Sequence, residues 1–276
     1  MNLNTVTEVK RPSSADEVTT WRPGYAWLAG GTWLFSEPQW AVDTLVDLES
    51  LRWPSLETSA AGLDIAATCR IVELDRFAAP KAWTAAPLLR ECCRSFLASF
   101  KIWNEATVGG NICMSLPAGP MISLAVALEA TYTLWPRGAA PREVPAAEFV
   151  TGNHANVLRP GELLRSIRLP VRALSKRFAF RRFSLTHLGR STALLIGTRD
   201  AGGELLVTVT AATPRPVQFR FDRTPSAGDV RDAITAAIPA DGYFDDVHGA
   251  PAHRRRLTYY YAEQIRTELA GDGGGR

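Results

Sequence analysis

The chain has 276 residues, with 31 basic against 28 acidic side chains, a formal charge of +3, 46% hydrophobic and 21% charged residues. That balance excludes a disordered chain and supplies enough apolar material for two or three sub-cores. The pI of about 8.8 reflects charges scattered along the chain rather than a Lys/Arg stripe with interleaved aromatics, so neither nucleic acid nor a lipid surface is expected as a partner.

The segment Met1 to Val18 lacks the basic start and apolar run of a secretory signal. Ser14 to Glu17 reads as a capping box opening a short helix toward Trp21, stopped by Pro23 and Gly24. A βαβ-like start follows: Tyr25 to Leu28 is a short strand running into Gly30, Gly31 and Thr32, and Leu45, Val46 and Leu48 form a second apolar segment. Leu63 to Thr68 alternates weakly as a strand, and Arg70 to Phe77 has helical spacing. From Pro87 to Phe100 the apolar set Leu88, Leu89, Cys92, Cys93, Phe96, Leu97 and Phe100 predicts one helix with a broad buried face.

A second glycine-rich segment, Ala106 to Ile112, is read as a loop before a buried helix, Met121 to Leu128, whose apolar run falls far short of the ~20 residues a membrane span needs. Thr131 to Trp135 is a strand, Pro136-Arg137-Gly138 a turn, and Leu163 to Leu169 a strand alternating apolar and charged residues up to Pro170. A lobe boundary is expected near Pro170 to Lys176. Beyond it, Lys176–Phe183, Thr192–Thr198 and Glu204–Ala211 predict an antiparallel meander, Asp229–Ile238 and Arg254–Leu269 two helices, and Gly271–Arg276 a frayed tail.

Cys69, Cys92, Cys93 and Cys113 contain no CxxC pair, and two of them are adjacent in an apolar helical pattern, so reduced buried thiols in a cytoplasmic protein are expected rather than metal ligands or disulfides. The four histidines are scattered, and neither HExxH nor GxSxG occurs, which leaves zinc proteolysis and nucleophilic hydrolysis without a candidate site. Arg254-Arg255-Arg256 is expected to face solvent or a partner subunit, and the eight tryptophans to fill core and lobe interfaces.

Glycine pairs at strand ends let backbone approach a ligand closely, and successive N–H groups there can cradle a pyrophosphate. Gly30-Gly31-Thr32 and Gly109-Gly110-Asn111 are two such pairs, each beside a hydroxyl or amide side chain (Thr32, Thr107, Asn111). Neither fits GxGxxG or GxxxxGK[ST], and two ordinary tight turns account equally for the spacing.

Taken in order, Ala29-Gly30-Gly31-Thr32, Ile65 to Thr68 with Glu73-Leu74, Ala106 to Ile112, Pro160 to Leu164 leading to Ile167-Arg168-Leu169-Pro170, and Asp245 to Gly249 before an Arg-rich helix resemble the FAD-binding (medium) subunit of molybdenum hydroxylases, the xanthine dehydrogenase and carbon monoxide dehydrogenase family. The resemblance implies an α+β fold: two α/β lobes of the PCMH/vanillyl-alcohol-oxidase-like FAD-binding type within 1–170 (about 1–55 and 56–170), a C-terminal antiparallel-sheet and helix domain over 171–270, and a disordered tail over 271–276.

It further implies FAD contacts from Trp27, Leu28, Ala29, Gly30, Gly31, Thr32, Trp33 and Leu34 on the first segment, from Thr107, Gly109, Gly110 and Asn111 on the second, and from Leu164 and Arg181. The role implied is electron transfer without substrate hydroxylation. A small subunit with [2Fe-2S] clusters would deliver electrons through this chain's FAD to NAD, quinone or oxygen, and a large subunit would hold the molybdopterin centre. Two positions depart from the family pattern: Trp33 stands where an acidic residue is common, and Pro120 where an Asp is common. These departures motivate an alternative, a structural subunit of the same assembly with degenerate or lost FAD binding.

Overall fold

The computed structural model describes residues 3–14, 17–18, 20–96, 98–136 and 139–271. The helix expected from Ser14, the Pro136 turn and the C-terminal tail fall wholly or partly outside them. Three strands, β1 (Glu8–Lys10), β2 (Tyr25–Leu28) and β3 (Thr44–Asp47), form a small parallel sheet in the order β1-β3-β2. The stretch between β2 and β3 contains no helix, contrary to the βαβ expectation. It is a run of turns closed by Phe35 N–H to Gly31 O at 2.8 Å and Ser36 N–H to Trp33 O at 2.9 Å, and Pro38 follows directly.

A second sheet, five strands in the order β4-β5-β10-β6-β7, is built from β4 (Leu56–Ser59), β5 (Gly62–Ala66), β6 (Thr131–Trp135), β7 (Arg142–Pro145) and β10 (Leu163–Pro170), all neighbours antiparallel. Two short strands, β8 (Val150–Gly152) and β9 (Ala155–Asn156), pair separately. Helices α1 (Ile71–Asp75), α2 (Pro87–Arg94), α3 (Phe100–Glu105), α4 (Val108–Met114), α5 (Pro120–Ala127) and α6 (Ala146–Phe149) accompany this sheet, and Leu63, Ile65, Leu88, Ile112, Leu124 and Tyr132 lie together in its core.

The single helix expected over 87–100 is two. Ser95 ends α2 by bonding its N–H and hydroxyl back to the Glu91 carbonyl, and the chain re-enters helix only at Phe100, which is 73% exposed.

After the short helix α7 (Val171–Leu174) the chain builds a four-stranded antiparallel sheet from β11 (Arg177–Ser184), β12 (Ser191–Arg199), β13 (Leu205–Thr210) and β14 (Val217–Phe221), with α8 (Ala227–Ala237) and α9 (Pro251–Ala270). Strand β12 is buried at its first eight positions because both faces are covered. Ala193 and Leu195 pack with α8 and α9, whereas Leu194 and Ile196 join the core of the five-stranded sheet. The layer between the sheets is α5, whose eight residues are all buried. A helix apolar all round is what a position between two sheets requires.

Lys176 spans the same junction, its Nζ 2.7 Å from Glu129 Oε2 and 3.4 Å from Glu204 Oε1. The α9 arginines divide. Arg255 and Arg256 are exposed as expected, but Arg254 is buried, donating to the carbonyls of Thr192, Ala211 and Gly249 and to Asp246. Among the tryptophans only Trp83 is fully buried, and Trp40 is 78% exposed.

Candidate functional site

Strand β2 delivers the first glycine pair. Trp27 at its end donates its indole N–H to Glu162 O at 3.2 Å, and Leu28 O accepts from Leu48 N–H, so the point where the chain leaves the sheet is fixed from both sides. Gly30 has no room for a side chain, since a Cβ there would lie 1.8 Å from Glu105 O, and Gly31 adopts a φ of +67°. The amides of Gly30, Gly31, Thr32, Trp33 and Leu34 have no acceptor among the described residues. These residues, with Trp27 and Ala29, border a cavity of about 540 Å³. Leu28 does not line it.

The second glycine segment is helix, not loop. Thr107 is the N-cap of α4, its Oγ1 accepting the Gly110 N–H at 3.0 Å. The remaining first-turn amides are also committed: Val108 to Cys69 O, Gly109 to Ala67 O and Asn111 to Thr107 O. Gly109 is buried against Ala67, where a Cβ would come within 2.4 Å of the Ala67 Cβ. Its lack of a side chain therefore serves helix packing. Thr107, Gly110 and Asn111 do line the cavity, so the two segments converge on one space, but the unpaired amides all come from the first.

Leu164 and Arg181 lie elsewhere. Leu164 is buried in the core of the five-stranded sheet. Arg181 turns to α9, donating to Gln264 Oε1 at 2.8 Å and pairing with Glu268. The cation on the cavity wall is instead Arg190, at the end of the β11–β12 connection. Sequence reading also missed Phe96, Ile102, Met114 and Leu116, which supply apolar lining. The break between α2 and α3 turns Phe96 inward, and nothing in the apolar spacing marks it.

The two departures have structural counterparts. Trp33 sits against the His154 imidazole with ring centroids 5.8 Å apart. Pro120 opens α5 without an N–H, and the next donor, Met121 N–H, is taken by Asn111 Oδ1 at 3.0 Å. Cys113 also borders the cavity, and burial pushes its thiol up to about 12. No group of three or more His, Cys, Asp or Glu side chains among the described residues has metal-ligand geometry.

A space of this size with mixed lining, apolar side chains together with a row of amides without acceptors on a turn led by two glycines, suits a dinucleotide with a ring system and a diphosphate. Residues 5–172 match the FAD binding domain in molybdopterin dehydrogenase. The chain belongs to this family. As a member it is an FAD-binding oxidoreductase subunit, and the α+β fold expected from sequence is the one observed.

Among related proteins, the carbon monoxide dehydrogenase medium chain of Hydrogenophaga pseudoflava is 28% identical over 215 residues, 75% of this chain and 71% of that one. Caffeine dehydrogenase subunit beta of Pseudomonas sp. (strain CBB1) is 32% identical over 117 residues, 41% of this chain and 39% of its own. In fold, the chain superposes on quinoline 2-oxidoreductase from Pseudomonas putida 86 with a TM-score of 0.80 at 20% identity, covering 98% of each chain. It also superposes on carbon monoxide dehydrogenase from Hydrogenophaga pseudoflava with a TM-score of 0.78 at 21% identity, covering 96% of this chain and 97% of that one. No described helix of this family member is long and apolar enough to cross a membrane.

Proposed function

We propose that this chain is the electron-transferring flavin subunit of a molybdopterin-dependent dehydrogenase, holding FAD in the 540 Å³ cavity between β2 and α4. The observation that carries the reading is that the residues from Gly30 to Leu34, whose amides have no acceptor among the described residues, line that cavity. These donors would hold the diphosphate without a cationic side chain, in the manner of a backbone nest. Thr107, Gly110 and Asn111 would close the opposite wall, Asn111 with its amide nitrogen while its oxygen stays on Met121. Phe96, Ile102, Met114 and Leu116 would exclude water from the ring system.

Bound FAD supplies reversible two-electron redox chemistry, and the protein's share is binding, orientation and electrostatics. No general acid or base is asked of the chain. Leu28, Gly109, Leu164 and Arg181 then act behind the cavity, through strand, helix and core, rather than on the cofactor itself.

Resemblance to medium chains supports the rest of the proposal: electrons arrive from [2Fe-2S] clusters of a small partner subunit, a large partner subunit holds the molybdopterin centre, and an acceptor such as NAD, quinone or oxygen takes the electrons. Four free thiols, three of them buried, are in keeping with a cytoplasmic setting, and the family match ending at residue 172 is in keeping with a domain division at about residue 170. Purified protein is expected to show flavin absorbance and a thermal shift with added FAD. Colourless protein without a shift, even beside partner subunits, overturns the reading in favour of the structural-subunit alternative, for which Trp33 and Pro120 are the motive.

A further inference from the structure

A second cavity, of about 330 Å³, lies beside the first and shares Leu116, Ala118 and Arg190 with it. Its polar lining is cationic in balance. Asp246 is its one acid, and the buried Arg254 guanidinium neutralises it, while the same carboxylate also accepts the His248 N–H at 2.8 Å. Arg254 is largely committed, its Nε and Nη1 donating to the carbonyls of Gly249, Thr192 and Ala211 and its Nη2 to Asp246. Arg190 is different: among the described residues it has no carboxylate, carbonyl or ring as partner. The imidazoles of His154 and His248 and the Asn153 amide border the same space.

Two features hold this arrangement in place. Arg182, half-buried and also without a carboxylate, donates Nε to Ser191 Oγ at 2.9 Å and Nη2 to Gly189 O. It therefore holds the Gly189 backbone and the Ser191 side chain, on the two sides of Arg190. His154 adopts a φ of +55°, uncommon for a residue with a side chain, and its N–H is held by Ser115 O at 3.0 Å. The backbone is thus committed to presenting His154 at the wall between Trp33 and the second cavity.

Arg190 is half-buried and, among the described residues, no carboxylate competes for it, so an oxyanion entering this space displaces no partner. The geometry points to a binding site for the oxyanion of a second small molecule, phosphate or carboxylate, in this cavity, with Arg190 supplying the charge, His154, His248 and Asn153 completing the contacts, and Arg182 as the positioning residue. The inference goes beyond the flavin reading and does not depend on it.

The test uses the full chain and two probes, inorganic phosphate and acetate, with FAD content recorded from the visible spectrum of each sample. Titration is followed through the imidazole C–H NMR signals of His154 and His248 and by calorimetry. Saturable binding of one or both probes, with both signals moving, is expected in FAD-loaded protein, and the tighter probe identifies a phosphate or a carboxylate ligand. Arg190→Met is expected to weaken binding about tenfold or more at matched FAD content, Arg190→Lys to restore most of it, and Arg182→Met to weaken it less. Absence of saturable binding, equal affinity in Arg190→Met, or binding that FAD loading abolishes would overturn the proposal, the last by assigning Arg190 to the flavin site. Should Arg190→Met fail to fold, the imidazole shifts of the unmodified protein decide alone. Colourless protein that still binds phosphate would sink the flavin reading and leave this one standing.

Discussion

The side-chain oxygen of Asn111 accepts the backbone N–H of Met121 at 3.0 Å, tying the first turn of α4 to the first turn of α5. Pro120 has no N–H, so this bond caps the first amide that α5 presents. Asn111→Ala is expected to destabilise the protein by about 1 kcal/mol, the typical net worth of one such bond. FAD affinity should fall several-fold as well, because α5 begins at the cavity wall. Asn111→Asp keeps the acceptor and should spare stability. Urea unfolding and FAD titration of both variants check the pair of outcomes.

The glycines of the two segments should respond differently. At Gly109 an added Cβ meets Ala67 backbone and side chain below 3.0 Å, so Gly109→Ala is expected to lower the stability of cofactor-free protein by ~1–3 kcal/mol. At Gly110 the only close atom is Thr107 Oγ1 at 2.9 Å, and Gly110→Ala should stay within about 1 kcal/mol of the parent in the same experiment. Gly30→Ala drives a Cβ into Glu105 O, which forces the amide row aside and should abolish flavin absorbance. Retained absorbance in Gly30→Ala would remove the first segment from the cofactor site.

The four cysteines are expected to be inert in the native state. Burial pushes Cys93 and Cys113 each up to about 12 and raises Cys69 and Cys92 as well. At pH 8 a thiol of that kind is about one part in 10⁴ thiolate, and thiolate is the reactive form. Mass spectrometry after brief iodoacetamide treatment should find no adduct on folded protein and four per chain in urea. Rapid native labelling at Cys113, the one thiol on the cavity, would show that the cavity is wetter than its lining implies.

How far these features are legible in sequence depends on what fixes each one. Strands β2, β5, β10 and β12 are legible because their apolar residues alternate or run continuously, as one or two covered faces demand. The α2–α3 break is hidden because Phe96 and Phe100 keep the helical spacing while one lines the cavity and the other is exposed. The helix at Gly109-Gly110 is hidden for the opposite reason. Glycine argues for a loop locally, but close contact with Ala67 and the Thr107 cap decide the matter from outside the segment. Resemblance selected Arg181 over its neighbours, and strand alternation sends Arg181 to α9 and Arg182 to the connection that carries Arg190. Which cation reaches the cavity follows from that connection, whose path no local pattern encodes.

Acid sensitivity should centre on Glu162, whose carboxylate is 2% exposed and receives Arg142 through two bonds, 2.9 Å and 2.7 Å, with Arg159 N–H as a third donor at 2.8 Å. The Arg142 hydrogen bonds hold its carboxyl below the usual range against the opposing effect of burial. A carboxylate depressed in the folded state contributes stability that is fully present above its unfolded value of about 4.3 and is lost as pH falls through the folded value. Glu129 behaves alike: burial pushes it up, but bonds from Lys176 and Arg220 outweigh burial and leave it lowered. Glu162→Gln removes the charge and should cost ~1.5–3 kcal/mol at pH 7, the range for a hydrogen bond to a charged group. The gap between parent and variant should then narrow as pH falls from about 4.3 through the folded value, because the parent loses the same charge by protonation. Urea midpoints at pH 7, 5 and 3.5 measure the gap. A difference that stays constant across that series would mean Glu162 stabilises by packing alone.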